Sequence, residues 1–276
     1  MQPTNVYLGL LCERGKRGLP LKRVYRQLFN RNLYLTAYGK VYRNAGATTK
    51  GVTDETVEAM SLEKIDRIIQ LLRTERYEWQ PAKRVYILKR NGKKRPLGLP
   101  VWSDKLLAEV IRLILNAFYD GQFSEHSHGF REGRGCHTAF QEIYHTWDGV
   151  TWIIEGDISD CFGSLDHDLL VSLLSEKIQD GRFLALMRKL LDAGYLEDWK
   201  FNQTLSGVPQ GSIVTPPTMW QTLGIFFGRR GWSERRRIDA EDDSDLLLVD
   251  FHPLDQGSND LATCEPIGVM QAAVHP

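Results

Sequence analysis

Asp157 follows an apolar stretch, in the segment Trp152-Ile-Ile-Glu-Gly-Asp-Ile-Ser-Asp-Cys-Phe162. This pattern predicts a buried strand that ends in a turn, and a carboxylate on such a rigid strand can supply an oxygen ligand to Mg²⁺ for phosphoryl transfer. A two-metal site needs at least one more carboxylate from another strand. Spacing alone favours a simpler interpretation, in which Asp157, Asp160 and Asp166 end the strand or cap the next helix.

Charge is distributed very unevenly along the chain. Residues 1–95 carry 21 Lys and Arg against 8 Asp and Glu, a net charge of +13, and residues 96–276 carry 14 against 27, a net charge of −13. Such a basic block predicts a nucleic-acid partner, because lysine and arginine neutralise phosphates, although a solvated basic surface would have the same composition. The aromatic residues among these charges can stack on bases or fill a core: Tyr25, Phe29, Tyr34, Tyr38, Tyr42, Tyr77, Trp79 and Tyr86.

The cysteines and the N-terminal residues indicate the cellular compartment of the protein. Cys12, Cys136, Cys161 and Cys264 are far apart, with neither a Cys-x-x-Cys pair nor histidines at zinc-finger spacing. No disulfide framework or structural zinc is expected. The apolar run at residues 6–12 is too short to span a bilayer, and no basic residue precedes it. We therefore expect a cytoplasmic protein without a membrane partner.

The elements before Asp157 alternate between helices and one hairpin. The sequence predicts helical stretches in residues 21–35, a loop at 46–51 and an amphipathic helix after Ser61, which can act as its N-cap. Residues 84–89 and 93–99 are β-prone, and Asn91-Gly92 between them is typical of a tight hairpin turn. A helix capped by Ser103 or Asp104 is expected next, with its apolar residues at helical spacing: Leu107, Val110, Ile111, Ile114, Leu115 and Phe118.

Around and after Asp157 the pattern predicts strands and helices in turn. We expect a helix near residues 137–144, a strand over 150–158, helices over 165–178 and 183–195, and a strand over 199–205. Residues 207–211, Gly-Val-Pro-Gln-Gly, are expected to form a turn. Residues 216–276 have no sustained periodicity and are interpreted as a poorly specified tail.

Four motifs in this order resemble those of group II intron-encoded reverse transcriptases. They are Lys89 with Arg95-Pro-Leu-Gly-Leu-Pro100, then Gly129-Phe-Arg-Glu-Gly-Arg134, Gly156-Asp-Ile-Ser-Asp-Cys-Phe162 with Leu165-Asp-His167, and Gly207-Val-Pro-Gln-Gly211 with Thr215-Pro216. Leu33-Tyr-Leu-Thr-Ala-Tyr-Gly39 and Met60-Ser-Leu-Glu-Lys64 resemble the N-terminal extension of intron and non-LTR enzymes. The resemblance covers residues 20–216 and implies an α+β right-hand polymerase fold with fingers, a partial palm and no thumb.

The resemblance also implies a role for each motif residue. Asp157, with the backbone carbonyl of Ile158, would bind the catalytic Mg²⁺ ions, and Phe162 would lie under the incoming sugar and exclude a 2′-hydroxyl. Lys89 and Arg95 would contact the triphosphate of the incoming nucleotide. Outside the motif, Phe162 would be an ordinary core residue and the two cations would be solvated surface charges.

For three further residues the sequence allows either a binding role or a structural role. Arg131 and Arg134 would hold the template backbone or fix the fingers, and a structural salt bridge is an equal alternative. Gln210 would touch the nucleotide or the template, or its turn would be merely architectural. We expect a basic extension at residues 1–80, fingers at 81–149, a partial palm at 150–216 and a divergent tail at 217–276.

One part of the family pattern is missing from the sequence. The Tyr-x-Asp-Asp motif that brings the second carboxylate pair does not occur, and Asp242-Asp243 lacks the tyrosine and the apolar strand that would support it. The resemblance thus predicts an RNA-directed DNA polymerase and intron maturase that is truncated or frameshifted and inactive by itself. An RNA-binding remnant without catalysis and a fragment without function remain as alternatives. Expected partners are group II intron RNA, a DNA primer or target and deoxynucleoside triphosphates, and a homodimer is left open.

Overall fold

A computed structural model describes residues 3–44, 46–88, 92, 94–129, 131–149, 153–158, 166–204, 207 and 270–275, with the backbone alone for 153–158 and 270–275. Eight α-helices lie within these residues: α1 (Thr4–Lys16), α2 (Val24–Gln27), α3 (Arg31–Tyr42), α4 (Leu62–Arg73), α5 (Trp102–Tyr119), α6 (Cys136–Thr146), α7 (His167–Lys177) and α8 (Gly181–Asp192). Eight strands accompany them: β1 (Leu21–Lys22), β2 (Ala82–Leu88), β3 (Lys94–Leu99), β4 (Ile153–Ile158), β5 (Ile178–Gln179), β6 (Tyr195–Glu197), β7 (Lys200–Asn202) and β8 (Met270–His275). The mixture confirms the expected α+β class.

Helix α5 is the centre of the helical core. Its apolar residues recur at helical spacing, and it is buried on nearly all sides because α1, α3 and α4 pack around it. Sequence periodicity therefore predicted this helix correctly. The closest approach is to α1, where Gly15 faces the backbone carbonyl of Phe118. Only a residue without a Cβ fits there.

The beginning of the chain differs from the sequence prediction. Helix α1 was not expected, since only Tyr7 and Leu11 among its large apolar residues are buried, while Val6 and Leu10 are exposed. The predicted helical stretch at residues 21–35 is broken into the short strand β1, the single turn α2 and the start of α3. The break follows from Asn30, whose side chain accepts a hydrogen bond from the backbone N–H of Asn32 and starts a new helix.

The N-cap predictions for α4 and α5 had different outcomes. Ser61 caps α4 as expected, through a 3.3 Å hydrogen bond from the N–H of Lys64. The prediction that Ser103 or Asp104 caps α5 is wrong, because the N-cap residue is Val101. Glu55, from the loop before α4, accepts hydrogen bonds from the backbone N–H and the hydroxyl of Ser103. It thus provides an acceptor for an N–H group at the start of α5 that has no partner within the helix. Asp104 lies in the first turn of α5 and is buried.

A four-stranded sheet, with the order β3-β2-β6-β7, stands beside the helices. The predicted hairpin is confirmed, since β2 and β3 pair antiparallel and Gly92 in the turn has a φ of 76°. Strand β6 joins β2 in parallel and returns antiparallel as β7. The strand expected over residues 199–205 is thus shorter, and its partner β6 occupies the end of the predicted helix over 183–195.

Helices α7 and α8 complete the described core. Asp166 caps α7 as predicted, accepting a 2.8 Å hydrogen bond from the N–H of Leu169. Asp180 caps α8 and also accepts a hydrogen bond from the N–H of Tyr25, which ties α8 to the N-terminal helices. Strands β1 and β5 pair in parallel next to this hydrogen bond, since β1 precedes Tyr25 and β5 precedes Asp180. Asp160, the third candidate cap, lies outside the described residues.

The aromatic residues of the basic block serve mainly as core. Tyr25, Tyr34, Tyr77 and Trp79 are buried, and Phe29 and Tyr38 pack against the same cluster. Only Tyr42 and Tyr86 are exposed. Base stacking is therefore limited to a small part of this set. Among the helices of the described residues, none combines the length and the apolar character that crossing a membrane requires.

Candidate active site

Strand β4 contains the two residues expected to bind metal. Its backbone covers residues 153–158, which confirms the later part of the predicted strand and places Asp157 and Ile158 at its carboxyl end. It pairs antiparallel with β8, and Asp157 is opposite Gln271. Strand β8 belongs to the segment 216–276, for which the sequence pattern specified no structure. Strand β8 has the sequence Met-Gln-Ala-Ala-Val-His, so it contributes no carboxylate beside Asp157.

The hairpin β2–β3 positions the predicted triphosphate contacts. Arg95 is exposed, is the second residue of β3 and lies opposite Ile87, close to the free end of the hairpin. Its neighbour Lys94 is opposite Leu88. Lys89, Phe162 and Gln210 lie outside the described residues, and their predicted roles remain predictions.

The side chain of Arg131 forms an ion pair and hydrogen bonds with other residues of the same chain. Its guanidinium donates to the Asp120 carboxylate at 2.9 Å and to the carbonyl oxygens of Asp120, Ser124 and Ser127 at 2.9–3.1 Å. It also lies 5.4 Å from the ring centroid of Phe123, and its side chain is 10% exposed. These contacts describe the structural salt bridge that the sequence left open, and they hold the turn at residues 124–127 in place.

Arg134 supports the same turn from the other side. Its guanidinium donates to the carbonyl oxygens of Glu125 and, at 3.4 Å, of Ser127. The turn is thus fixed by two arginines through backbone carbonyls. The turn also has hydrogen bonds of its own, from the N–H of Ser127 to the carbonyl of Ser124 and from the N–H of His126 to the Ser124 hydroxyl.

A pair of histidines joins this turn to α6, and the sequence gave no sign of it. His128 contacts Glu142 at 2.7 Å and Thr138 at 2.9 Å, and His126 contacts the other oxygen of Glu142. Hydrogen bonds from His126 and His128 lower the pKa of Glu142. Thr138 also bonds both backbone groups of Gly135 and closes the start of α6. The Gly-rich motif is therefore tied to the helix that follows it.

His167 connects two of the sequence motifs. It is buried, with Nδ1 3.1 Å from the Asp192 carboxylate and Nε2 2.7 Å from the carbonyl oxygen of Gly207. Each ring nitrogen thus has an oxygen partner, one on α8 and one before the predicted turn. Gly207 is the first residue of the predicted turn that presents Gln210. His167 thereby connects Gly207 to α7, a contact that the motif alone did not reveal.

The oxygen ligands that Asp157 and Ile158 can supply at β4 are of the type that Mg²⁺ binds, but they are too few for a two-metal site. A carboxylate and a backbone carbonyl are hard oxygen ligands of the type Mg²⁺ prefers. Two such ligands leave most of an octahedral shell for water and phosphate oxygens, and a two-metal site needs a further carboxylate. Within the part of the chain that the structure describes, no three His, Cys, Asp or Glu side chains are grouped as metal ligands.

A model of the family described as reverse transcriptase (RNA-dependent DNA polymerase) matches residues 87–228, from the hairpin to beyond the predicted turn. The chain belongs to the reverse transcriptase family. Members of this family use divalent metal ions. The match begins near the end of β2 and includes β3, the arginine-bound turn and β4.

Relatives of this chain include intron proteins. It is 43% identical over 219 residues to the group II intron-encoded protein LtrA of Lactococcus lactis subsp. cremoris, covering 78% of this chain and 37% of LtrA. It is 47% identical over 189 residues to an uncharacterized 91 kDa protein in the cob intron of Schizosaccharomyces pombe, covering 68% of this chain and 23% of that protein. The chain thus spans well under half the length of these relatives.

A solved assembly, a partial Cas6-RT-Cas1–Cas2 complex, has a chain that is similar over 76% of this chain and 35% of its own length, with 19% identity and a TM-score of 0.49.

Proposed function

We propose that the chain is part of a group II intron reverse transcriptase and maturase, an RNA-directed DNA polymerase that copies intron RNA and aids its splicing. The observation that supports this most directly is the order of elements over residues 87–228. The second strand of a basic hairpin, a turn fixed by Arg131 and a strand with Asp157 follow one another there, and the family model covers all three. We assign residues 1–80 to a basic extension, 81–149 to the fingers, 150–216 to part of the palm and 217–276 to a divergent tail.

The proposed partners follow from this assignment. They are group II intron RNA, a DNA primer or target strand and deoxynucleoside triphosphates. The charge of residues 1–95, a net +13 from 21 basic and 8 acidic residues, supports a polyanionic partner for the extension and the fingers.

In the proposed reaction, the chain's own residues bind and orient the nucleotide. Asp157 and the carbonyl of Ile158 hold the metal at the end of β4, and Lys89 and Arg95 on the hairpin contact the triphosphate. Bound Mg²⁺ would lower the pKa of the primer hydroxyl and neutralise charge on the leaving pyrophosphate. Phe162 excludes a 2′-hydroxyl under the sugar, and Gln210 contacts the nucleotide or the template.

A chimera tests the polymerase assignment without depending on the unmatched part of the chain. The 219 aligned residues of LtrA would be replaced by those of this chain, and DNA synthesis on an RNA template would be measured with and without Mg²⁺. We expect Mg²⁺-dependent synthesis that Asp157→Ala abolishes. Asp166→Asn is the matched control, because asparagine keeps the helix cap while removing the charge. A chimera that folds and binds RNA but makes no DNA would contradict the proposal.

The isolated chain provides a second, independent measurement. Because Tyr-x-Asp-Asp is absent from the sequence, we expect no primer extension by this chain alone. Extension that depends on Mg²⁺ and on Asp157 would overturn that expectation. Salt-dependent RNA binding without extension would agree with a non-catalytic RNA-binding role, the second candidate function, which the basic charge of residues 1–95 favours.

A further inference from the structure

A groove beside the N-terminal helix combines aliphatic side chains with cations. It is a cavity of about 600 Å³ between α1, β1 and α2. Leucines and exposed cations share its lining. We name it the Arg23 groove after these residues: Leu10, Leu11, Leu21, Lys22, Arg23 and Arg26.

Two arginines shape the Arg23 groove in different ways. The guanidinium of Arg14, near the end of α1, donates a 2.7 Å hydrogen bond to the carbonyl oxygen of Pro20 and so holds the start of β1 beside that helix. Arg23 has a left-handed backbone, with a φ of 56° and a ψ of 37°, and starts α2 without a hydrogen bond from its side chain to the helix. The guanidinium of Arg23 therefore takes no part in capping α2.

The three cations of the Arg23 groove have no acidic partner in the part of the chain that the structure describes. No Asp or Glu there forms an ion pair with the side chain of Lys22, Arg23 or Arg26. Arg31, a few residues later, does pair with Asp66. Three positive charges around one cavity repel one another, and an acidic occupant would remove that repulsion. The groove therefore suits a ligand that carries several negative charges.

The apolar lining of the Arg23 groove indicates that its occupant also carries aliphatic side chains. Leu10 is 49% exposed on the cavity side of α1, and Leu11 and Leu21 are buried behind it. Base stacking needs an open aromatic ring, and the ring that lines this cavity, that of Tyr7, belongs to a residue that is only 9% exposed. An acidic peptide segment with leucines therefore suits the groove better than nucleic acid does.

One segment of this chain has that composition. Residues 241–251 are Glu-Asp-Asp-Ser-Asp-Leu-Leu-Leu-Val-Asp-Phe, and residues 238–276 contain nine Asp and Glu but no Lys or Arg. The segment lies outside the described residues, between Gly207 and β8. The chain between Phe251 and Met270 can span about 60 Å when extended, whereas a compact domain of this size is about 50 Å across. Chain length thus allows the segment to reach any side of the molecule.

We propose that residues 241–251 bind in the Arg23 groove of the same chain, with their leucines against the leucines of the groove and their carboxylates beside its cations. Burial of aliphatic surface and attraction between opposite charges both stabilise such a contact. The groove belongs to the basic block of residues 1–95, so the bound segment occupies cations that a polyanionic partner would otherwise contact. The inference goes beyond the proposed function and does not depend on it.

The test is cross-linking of the full chain with a water-soluble carbodiimide, which joins a lysine amine only to a carboxylate that contacts it. Lys22 is the lysine that lines the groove. We expect mass spectrometry to find Lys22 joined to a carboxylate of residues 241–250. Lys200, an exposed lysine on β7, is the control and is expected not to be joined to them. A mixture of isotope-labelled and unlabelled chains shows whether the two joined peptides come from one chain.

Two similarly exposed apolar residues of α1 provide a matched pair of variants. Leu10 lines the cavity and is 49% exposed, whereas Val6, one turn earlier, does not line it and is 52% exposed. We expect Leu10→Ser to lower the yield of the Lys22 cross-link about fivefold, because the segment loses an aliphatic contact. Val6→Ser is expected to leave the yield unchanged.

Charge variants of the groove test the ionic part of the contact. Arg23→Glu combined with Arg26→Glu is expected to lower the cross-link yield at least as much as Leu10→Ser does, because the carboxylates of the segment then meet like charges. The control, Arg43→Glu combined with Arg76→Glu, changes the net charge equally at exposed residues that do not line the cavity. It is expected to keep the cross-link.

Variants of the segment itself keep the test valid if a groove variant fails to fold. Neutralising three carboxylates next to the leucines is expected to lower the cross-link yield in the same way: Asp242→Asn, Asp243→Asn and Asp245→Asn. The matched control removes the same charge further along the chain and is expected to keep the cross-link: Asp255→Asn, Asp260→Asn and Glu265→Gln.

Each alternative occupant of the groove has its own result, and each result would overturn the inference. Cross-links found only between labelled and unlabelled chains would assign the groove to a second copy. Equal joining of Lys22 to residues 255–265 and to residues 241–250, unaffected by Leu10→Ser, would mean charge attraction without a specific contact. Absence of the cross-link from the unaltered chain would also contradict the inference. Weaker RNA binding by the Arg23→Glu and Arg26→Glu variant would then assign the groove to nucleic acid.

Failure of the proposed function can be distinguished from failure of this inference. The cross-linking test involves no metal ion, nucleotide or nucleic acid. An inactive chimera would therefore contradict the polymerase assignment and leave the contact in the Arg23 groove unaffected. An active chimera together with a missing Lys22 cross-link would contradict the contact alone.

Discussion

The phenol hydroxyl of Tyr77 donates a 2.6 Å hydrogen bond to the carboxylate of Asp104 in the interior of the protein. The other carboxylate oxygen accepts from the backbone N–H of Gln80 at 2.9 Å, and Asp104 is 3% exposed. The pair therefore ties the segment before β2 to the central helix α5. Burial raises the pKa of Asp104 from its ordinary 3.8 to about 6, although the two hydrogen bonds oppose the shift.

This raised pKa predicts a pH dependence of stability. Between about pH 4 and pH 6 the folded state holds a proton on Asp104 that the unfolded state has released, so the stability contributed by this group falls as pH rises. The loss is on the order of 3 kcal/mol. Asp104→Asn has no such loss, so its free energy of unfolding relative to the unaltered chain is expected to increase by that amount from pH 4 to pH 7.

Urea unfolding at several pH values between 4 and 7 measures this difference. The control is Asp66→Asn, because Asp66 is an exposed partner of Arg31 on the surface. That variant is expected to gain no stability relative to the unaltered chain as pH rises. A pH-independent difference for Asp104→Asn would show that the carboxylate is already ionised in the folded state at pH 4.

Two glycines of α1 predict opposite effects of the same substitution. A Cβ on Gly15 would lie 1.8 Å from the carbonyl oxygen of Phe118, whereas a Cβ on Gly9 would meet nothing within 4 Å. Gly15→Ala must separate α1 from α5 and is expected to cost about 3 kcal/mol or more. Gly9→Ala is expected to stabilise the helix by about 1 kcal/mol. Thermal or urea unfolding of both variants checks the pair, and equal effects would contradict the close packing of α1 on α5.

The fold was predictable from the sequence where a short segment determines its own structure. The hairpin followed from Asn91-Gly92 between two β-prone runs, and α5 followed from an apolar pattern that extends over the whole helix. Helix α1 was missed because only two of its large apolar side chains, Tyr7 and Leu11, are buried, so its sequence has no clear apolar face. Strand β6 was missed because its partner β2 is more than a hundred residues earlier in the chain. The pattern of residues within a short segment does not show which distant strand it will pair with.

The candidate site was predictable to a similar extent. The motifs identified Asp157 and Arg95, and the structure places them on the strands that the sequence predicted. They did not show that His167 bonds Gly207, since that contact joins residues forty positions apart and depends on how α7 packs.

Arg131 allows a direct test of its two roles. Its guanidinium is used by Asp120 and by the carbonyl oxygens of the turn, so Arg131→Ala is expected to lose about 2 kcal/mol of stability. The salt dependence of RNA binding should stay unchanged. Unfolding measurements and RNA-binding anisotropy over a salt series on this variant separate the two roles. A smaller salt slope in folded Arg131→Ala would instead indicate a contact with RNA phosphate.

The backbone conformation of Trp199, at the turn between β6 and β7, predicts a gain in stability on substitution. Because Trp199 has a φ of 63° and its side chain is almost fully exposed, Trp199→Gly removes left-handed strain and loses little packing. We expect a gain of about 1 kcal/mol in the free energy of unfolding. Trp199→Asn is a suitable control, since asparagine tolerates the left-handed region, and it is expected to gain less stability than glycine. Urea unfolding of both variants measures the difference, and a loss of stability in Trp199→Gly would contradict left-handed strain at this residue.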